Sequence, residues 1–261
     1  VNSEFTKRQL ISLGGSEEKI FSVYPGSPFL NKEKHKKIEN LSKKNKLELL
    51  FVSRVVLHKG YKHILTISDI IQKFQNKEVK VHIVGSLEGR MSKYRGFLLS
   101  EARKLNIDIE FHGLLSEKAL YERYKNSDVF ICMSEHEGFG MPAFEAMRCG
   151  IPIVTWANTA FSDLLKDHPF SIENYDPYWF AASTIFAVEN KFFSNDLYNI
   201  QNDLLNTYSK NTVSSQIISA LENKSYYSTS HRNQNYYKIR EEVEKLSFKI
   251  KSNVYNPTVY T

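Results

Sequence analysis

From residue 47 to residue 172, short apolar runs alternate with longer segments whose apolar residues recur every three or four positions, and this alternation restricts the fold most. Residues 47–53, 79–84, 107–112, 129–133, 152–156 and 170–172 read as strands. Residues 61–74, 91–105, 116–124, 141–147 and 161–166 read as the helices between them, Ser116 capping its own. Strands joined through helices require right-handed crossovers, so the spacing predicts an α/β fold built on a doubly wound, parallel, Rossmann-like sheet. Residues 177–189, 195–208 and 213–221 read as C-terminal helices packed on that sheet.

One unit of this series carries candidate chemistry. The buried run 129–133 leads into SEHEGFGMPAFEAMRCG, residues 134–150, in which Met141, Phe144, Ala146 and Met147 recur at helical spacing. Gly138 and Gly140 remove the Cβ atoms that would hold a ligand away from the backbone, and Pro142 suits a first helical turn. The free amides of such a turn form an anion site. Glu137 precedes the glycines, and Glu145 follows eight residues later, about two turns on. Loops at the carboxyl ends of open parallel sheets are where such folds bind ligands.

Glu137-Gly-Phe-Gly-Met-Pro-Ala-Phe-Glu145, continued by Ala-Met-Arg-Cys-Gly-Ile-Pro-Ile-Val, resembles the E-x7-E signature of family 4 retaining glycosyltransferases of the GT-B fold. Arg54, directly after the first strand, and Lys59 with Gly60 at the start of the next helix match that family's phosphate-binding pair; Ser53 stands where the family usually has Gly. A guanidinium clamps a diphosphate through two hydrogen bonds, and an ammonium neutralises it as a point charge. The resemblance implies that Arg54 and Lys59 hold the pyrophosphate of a UDP-, GDP- or ADP-sugar together with the amides of Gly138, Phe139, Gly140 and Met141. It further implies that Glu145 accepts the ribose hydroxyls, that Glu137 faces the transferred sugar, and that the base lies near Gly85, His112 and Gly113. The implied catalytic group is Glu137 with Arg54 and Lys59.

The implied reaction is transfer of a hexose, with retention, to a glycan or lipid-linked acceptor, as in bacterial surface polysaccharide (lipopolysaccharide or capsule) synthesis. A GT-B sugar-nucleotide epimerase and a non-catalytic nucleotide-binding or interaction module are the alternatives. The chain has no Asp-x-Asp, Asp108-Ile109-Glu110 falling within a strand, and the histidines at 35, 58, 63, 82, 168 and 231 are scattered. No cofactor and no metal site is therefore expected, with protein cations and helix-terminal amides stabilising the leaving diphosphate. His136 adjoins Glu137 without an assigned role, and Asp163 stands where the family has a Glu.

The net charge of +6 permits attraction to phosphates or to an anionic membrane surface, which allows a peripheral association at the inner face of the cell membrane. Much of the excess lies in NKEKHKKIENLSKKNK, residues 31–46, where no aromatic residue interleaves for base stacking, so nucleic acid is not an expected partner. Cys132 and Cys149 have neither metal-like spacing nor a disulfide framework and read as buried thiols of a cytoplasmic protein. No apolar stretch is long enough to span a bilayer.

Before the alternation lie a helix that Ser3 caps, running to about Leu13 and stopped by Gly14-Gly15, and a strand over 20–24 ended by Pro25-Gly26. The resemblance casts residues 1–28 as the seam to an N-terminal GT-B domain outside this chain, 29–46 as a charged linker and 47–222 as the donor-binding domain. Family members draw acceptor-side groups from that N-terminal domain, so the chain alone is expected to bind nucleotide without transferring sugar. Residues 223–261 form a polar tail with one helix-prone segment, 237–250, whose Ile239, Val243, Leu246 and Ile250 could line a stripe against a partner.

Overall fold

A computed structural model of the chain describes residues 1–25, 45–87, 89–190, 194–222 and 235–254. Six parallel strands form one sheet: β1 (Lys46–Val52), β2 (Glu78–Val84), β3 (Asp108–Gly113), β4 (Val129–Cys132), β5 (Ile153–Trp156) and β6 (Ser171–Ile172). Their spatial order is β3-β2-β1-β4-β5-β6. The chain steps outward from β1 to β3, then returns to pair β4 with the free side of β1. That reversal makes the ends of β1 and β4 the topological switch point, where open sheets of this kind form a crevice.

Right-handed crossovers put α2 (Tyr61–Gln75) and α3 (Ser92–Lys104) on one face of the sheet. After the reversal, α4 (Glu117–Lys125) and α5 (Met141–Arg148) cover the other face, and Tyr124 of α4 reaches Glu145 of α5. Ser116 caps α4 by accepting from the Ala119 amide at 3.3 Å, as its sequence position predicts. The central strand β4 is buried at every residue, which is why its four side chains are all apolar or thiol.

α6 (Ala160–Leu164), α7 (Pro177–Glu189), α8 (Ser194–Thr207) and α9 (Lys210–Leu221) follow, with α7 against α2 and α8 against α5. Gln201 of α8 is fully enclosed. It accepts from the Ile153 amide at 3.2 Å and donates to the Ile151 carbonyl at 3.1 Å, pinning the start of β5 to the helix layer. The last helix, α10 (Asn235–Asn253), is the one expected in the tail. Its stripe finds its partner within the same chain: Ile239, Val243 and Ile250 are buried where α10 packs on α7 and α2.

α1 (Glu4–Ser12) is capped by Ser3, whose hydroxyl accepts from the Thr6 amide at 3.2 Å. Arg8 of α1 pairs with Asp163 of α6 at 2.6 Å. The expected strand over 20–24 is not a strand. The segment runs extended without a ladder, because its backbone meets the chain's first residue, through Val23 amide to Val1 carbonyl and Val1 amino group to Phe21 carbonyl, both at 2.8 Å, and the Gln216 side chain, which accepts from the Tyr24 amide at 3.0 Å, but no neighbouring strand among the described residues. The expected linker, 29–46, lies outside the described residues up to residue 44, and β1 already begins at Lys46.

Candidate functional site at the switch point

The loops that leave β1 and β4 are stitched together. Gly60, at φ 66°, follows a 3-10 turn over Leu57–Lys59, so Lys59 stands just before α2 and not within it. A Cβ at Gly60 would lie 1.9 Å from the Met133 carbonyl oxygen, so only glycine allows this approach and this left-handed turn. The Glu135 amide donates to the His58 carbonyl at 2.8 Å. Across the same seam, Lys59 Nζ meets Glu137 Oε1 at 2.7 Å and the His136 carbonyl at 3.4 Å. Both side chains of the ion pair are mostly enclosed, at 12% and 15% exposure.

Arg54 stands exposed at the mouth of this crevice. The backbone beneath it is fixed by the Tyr61 hydroxyl, which donates toward the Ser53 and Arg54 carbonyls at 3.2 and 3.1 Å. Burial holds the Tyr61 hydroxyl well above its usual pKa, so it remains a donor. Burial, with Lys59 and Arg54 adding to it, lowers the pKa of His58, and Glu137 partly offsets this.

On the other wall, Gly140 caps α5 in the left-handed region at φ 80°, and a Cβ there would strike the Phe161 ring at 2.2 Å. The helix therefore starts at Met141, which puts Glu145 one turn into it and not two. Phe139 anchors the loop: its ring is buried, stacked on Phe144 at 4.7 Å and set edge-on to Tyr208. Its side chain thus faces the core and leaves only its backbone for a ligand. The amides of Gly138, Phe139, Gly140 and Met141 find no acceptor among the described residues.

Thr159 escaped the sequence reading. Its buried hydroxyl accepts from the Glu137 amide at 2.9 Å, and the Ala160 amide donates to the Glu137 carbonyl at 3.3 Å, so the β5–α6 turn sets the backbone of Glu137. A threonine among Ala, Asn and Phe gives no sequence sign of such a contact. His136 turns outward and rests against Phe5 of α1 with ring centroids 6.2 Å apart, while Asp163 is occupied by Arg8.

Glu145 is 7% exposed. One carboxylate oxygen accepts from the Tyr124 hydroxyl at 2.9 Å; the other has no hydrogen bond among the described residues. Burial raises its pKa, and the tyrosine hydrogen bond partly offsets this.

Gly85, at the end of β2, has φ 147°, and a Cβ there would come within 2.1 Å of the Ser53 carbonyl oxygen. The close approach between β1 and β2 is therefore provided by Gly85, with serine at 53. The Gly85 amide donates to the Gly113 carbonyl at 2.8 Å, which brings the ends of β2 and β3 together as expected. The histidines are less scattered than their numbering suggests. Strand pairing sets His82 against His112 at 2.9 Å with nearly parallel rings, and His82 Nε2 touches the Glu48 carboxylate. Burial lowers the pKa of both rings. Cys132 and Cys149 are buried free thiols pushed up to about 12 by that burial.

A six-stranded parallel sheet in this order, flanked by helices, is a Rossmann-like fold that matches the domains of GT-B glycosyltransferases. The chain belongs to the family described as glycosyl transferases group 1, which matches residues 31–203. An "uncharacterized 41.2 kDa protein in cps region" of Klebsiella pneumoniae is 26% identical over 64% of this chain and 44% of its own length. The O-antigen biosynthesis glycosyltransferase WclY of Escherichia coli is 26% identical over 47% of this chain and 34% of its own length. The chain thus covers less than half of these relatives. Anabaena HepE, solved with UDP and glucose, superposes with a TM-score of 0.70 at 20% identity, covering 85% of this chain and 62% of its own. The C-terminal domain of the group 1 glycosyl transferase LpcC from Francisella tularensis superposes with a TM-score of 0.54 at 17% identity, covering 75% of this chain and 100% of its own.

Proposed function

We propose that this chain is the donor-binding half of a retaining GT-B glycosyltransferase that moves a hexose from a nucleoside diphosphate sugar to a glycan or lipid-linked acceptor. The observation that carries the reading is the joined pair of loops at the switch point. Lys59 and Glu137 come from different crossovers yet meet at 2.7 Å, with Arg54 at the mouth and unpaired amides at the start of α5. A diphosphate placed there meets a bidentate cation, a point charge and the positive end of a helix.

In this reading, Arg54 and Lys59 share the charge that grows on the departing phosphate, and the Gly138–Met141 amides donate to its oxygens. Lys59 turns part of its charge from Glu137 to the phosphate, leaving that carboxylate to face the sugar as positive charge develops at the anomeric carbon. The unoccupied oxygen of Glu145 accepts ribose hydroxyls. No metal is assigned a part in the transfer. The names of the relatives, with O-antigen and cps region among them, support surface polysaccharide synthesis as the setting.

Calorimetry with UDP, GDP and ADP on the chain, repeated with Arg54→Ala, Lys59→Ala and Glu145→Ala, tests the reading. One nucleoside diphosphate should bind, and each cation variant should weaken it about tenfold or more, the loss of a charge-assisted contact of roughly 1.5–3 kcal/mol. Unchanged affinity in all three variants would remove the site. Binding without transfer in the longer, two-domain protein would favour a nucleotide-binding module instead.

A further inference from the structure

The face of the sheet shared with α4 is open over β2 and β3. A cavity of about 550 Å³ lies there, bounded by the three strands and by Arg123 and Asn126 at the end of α4. Its floor holds His82, Glu110 and His112. The alternation along each strand points all three to this side, and the β2–β3 pairing sets His82 opposite Glu110.

We propose that His82, His112 and Glu110 form a binding site for a divalent transition-metal ion, zinc being the best match, on the α4 face of the sheet. His82 Nδ1 and His112 Nε2 are 2.9 Å apart, and a Glu110 carboxylate oxygen is 3.7 Å from His82 Nδ1. One potential ligand atom from each residue lies within 4.8 Å of the others. A tetrahedral ion bound at about 2.0–2.1 Å holds neighbouring ligand atoms roughly 3.3 Å apart. The two rings open by a few tenths of an ångström to admit it, and the carboxylate closes by a similar amount.

A second observation is independent of that spacing. The other nitrogen of His82 touches the Glu48 carboxylate, which is the outer partner that orients a metal-bound imidazole and raises its basicity. A hydrogen-bonded histidine pair holds one proton between its nitrogens, and a metal ion is the alternative occupant of that gap. The cavity leaves the remaining coordination position open to water or to a ligand. Two neutral imidazoles and one carboxylate suit zinc over magnesium, which prefers oxygen ligands throughout.

The neighbouring cations set the terms of binding. Lys80 Nζ holds a Glu110 oxygen at 2.7 Å and stands 3.7 Å from Asp108. Arg123 lies 3.8 Å from Glu48, and Lys46 is held by Asp108 at 2.8 Å. Binding therefore shifts Lys80 from Glu110 toward Asp108, which already shares it. The ion would clamp β2 to β3.

Titration of the chain with zinc chloride, with magnesium chloride as the contrast, tests this by calorimetry and by thermal midpoint. One zinc ion should bind and raise the midpoint, while magnesium does neither. Cobalt(II) should give the intense visible bands of a four-coordinate site. Glu110→Gln and His112→Ala, both at partly exposed positions, should each weaken zinc at least 100-fold while the chain stays folded by circular dichroism. Glu48→Gln should weaken it 10- to 100-fold through His82 alone. Zinc affinity unchanged in Glu110→Gln and His112→Ala, or no zinc binding by the folded wild-type chain, would overturn the site. Neither outcome depends on nucleotide binding.

Discussion

At the scale of single residues, glycines of opposite consequence separate what the backbone requires from what it tolerates. Gly60 sits in the left-handed region with the Met133 carbonyl where a Cβ would go. Gly60→Ala should cost about 1–3 kcal/mol from backbone strain alone, with the clash adding to it, and should loosen the seam that places Lys59. Gly96, exposed within α3, has open space where its Cβ would stand. Gly96→Ala should instead stabilise the chain by about 0.5–1 kcal/mol through helix propensity. Urea unfolding of both variants checks the pair, and a loss at Gly96 or none at Gly60 would contradict the reading. The sequence marks both positions with the same letter. Gly138 and Gly140 were legible because they follow Glu137 in a recognisable loop, whereas the demand on Gly60 comes from a carbonyl more than seventy residues away.

At the scale of elements, periodicity revealed every strand of the sheet and every α-helix among the described residues, because burial on both faces makes β4 a continuous apolar run and the half-covered β3 an alternating one. The segment over 20–24 misled, since apolar character cannot tell whether a neighbour is present to complete a ladder. Long-range polar pins were equally hidden. His168, in the segment between α6 and β6, is fully buried against α8. Its Nε2 lies 3.3 Å from Gln201 Oε1, and its Nδ1 accepts from the Phe170 amide at 3.2 Å. Burial pulls its pKa down from 6.5 to about 4. The unfolded chain therefore binds a proton that the folded chain refuses between those values. Stability from this group is complete above pH 6.5 and falls as the pH drops toward 4, by as much as about 3 kcal/mol. Glu145, its pKa raised by burial, contributes a slope of opposite sign on the acid side. The quantity to read is thus the difference between wild type and His168→Asn. The variant should show a shallower fall between pH 6.5 and 4 in a thermal-midpoint series, the remainder coming from His58, His63, His82 and His112, whose pKa values burial also lowers, and equal slopes would show that His168 titrates freely.

At the scale of the whole molecule, the scaffold and the crevice are separable. The glycosyl transferases group 1 match ends at residue 203, yet α10 beyond it puts Ile239, Val243 and Ile250 into the same core as the sheet. Arg240 reinforces the contact, its guanidinium 4.7 Å over the Trp179 ring and bonded to the Pro169 carbonyl at 3.1 Å. α10 packs on α7 and α2, whereas the crevice is built from loops at the strands' carboxyl ends. Ile239→Ala should therefore cost about 2–5 kcal/mol of stability by leaving a cavity under α10. It should leave nucleoside diphosphate affinity unchanged well below the melting temperature. Lys59→Ala should lower nucleotide affinity, and because its ion pair with Glu137 is mostly enclosed it should also cost stability by leaving that carboxylate without its partner. Measuring unfolding free energy and nucleotide affinity for both variants should show stability lost without affinity only in Ile239→Ala if the sheet is a rigid platform. A matching loss of affinity in Ile239→Ala would mean that α10, through α7 and α2, sets the position of the loops themselves. The platform and the crevice would then be one cooperative unit.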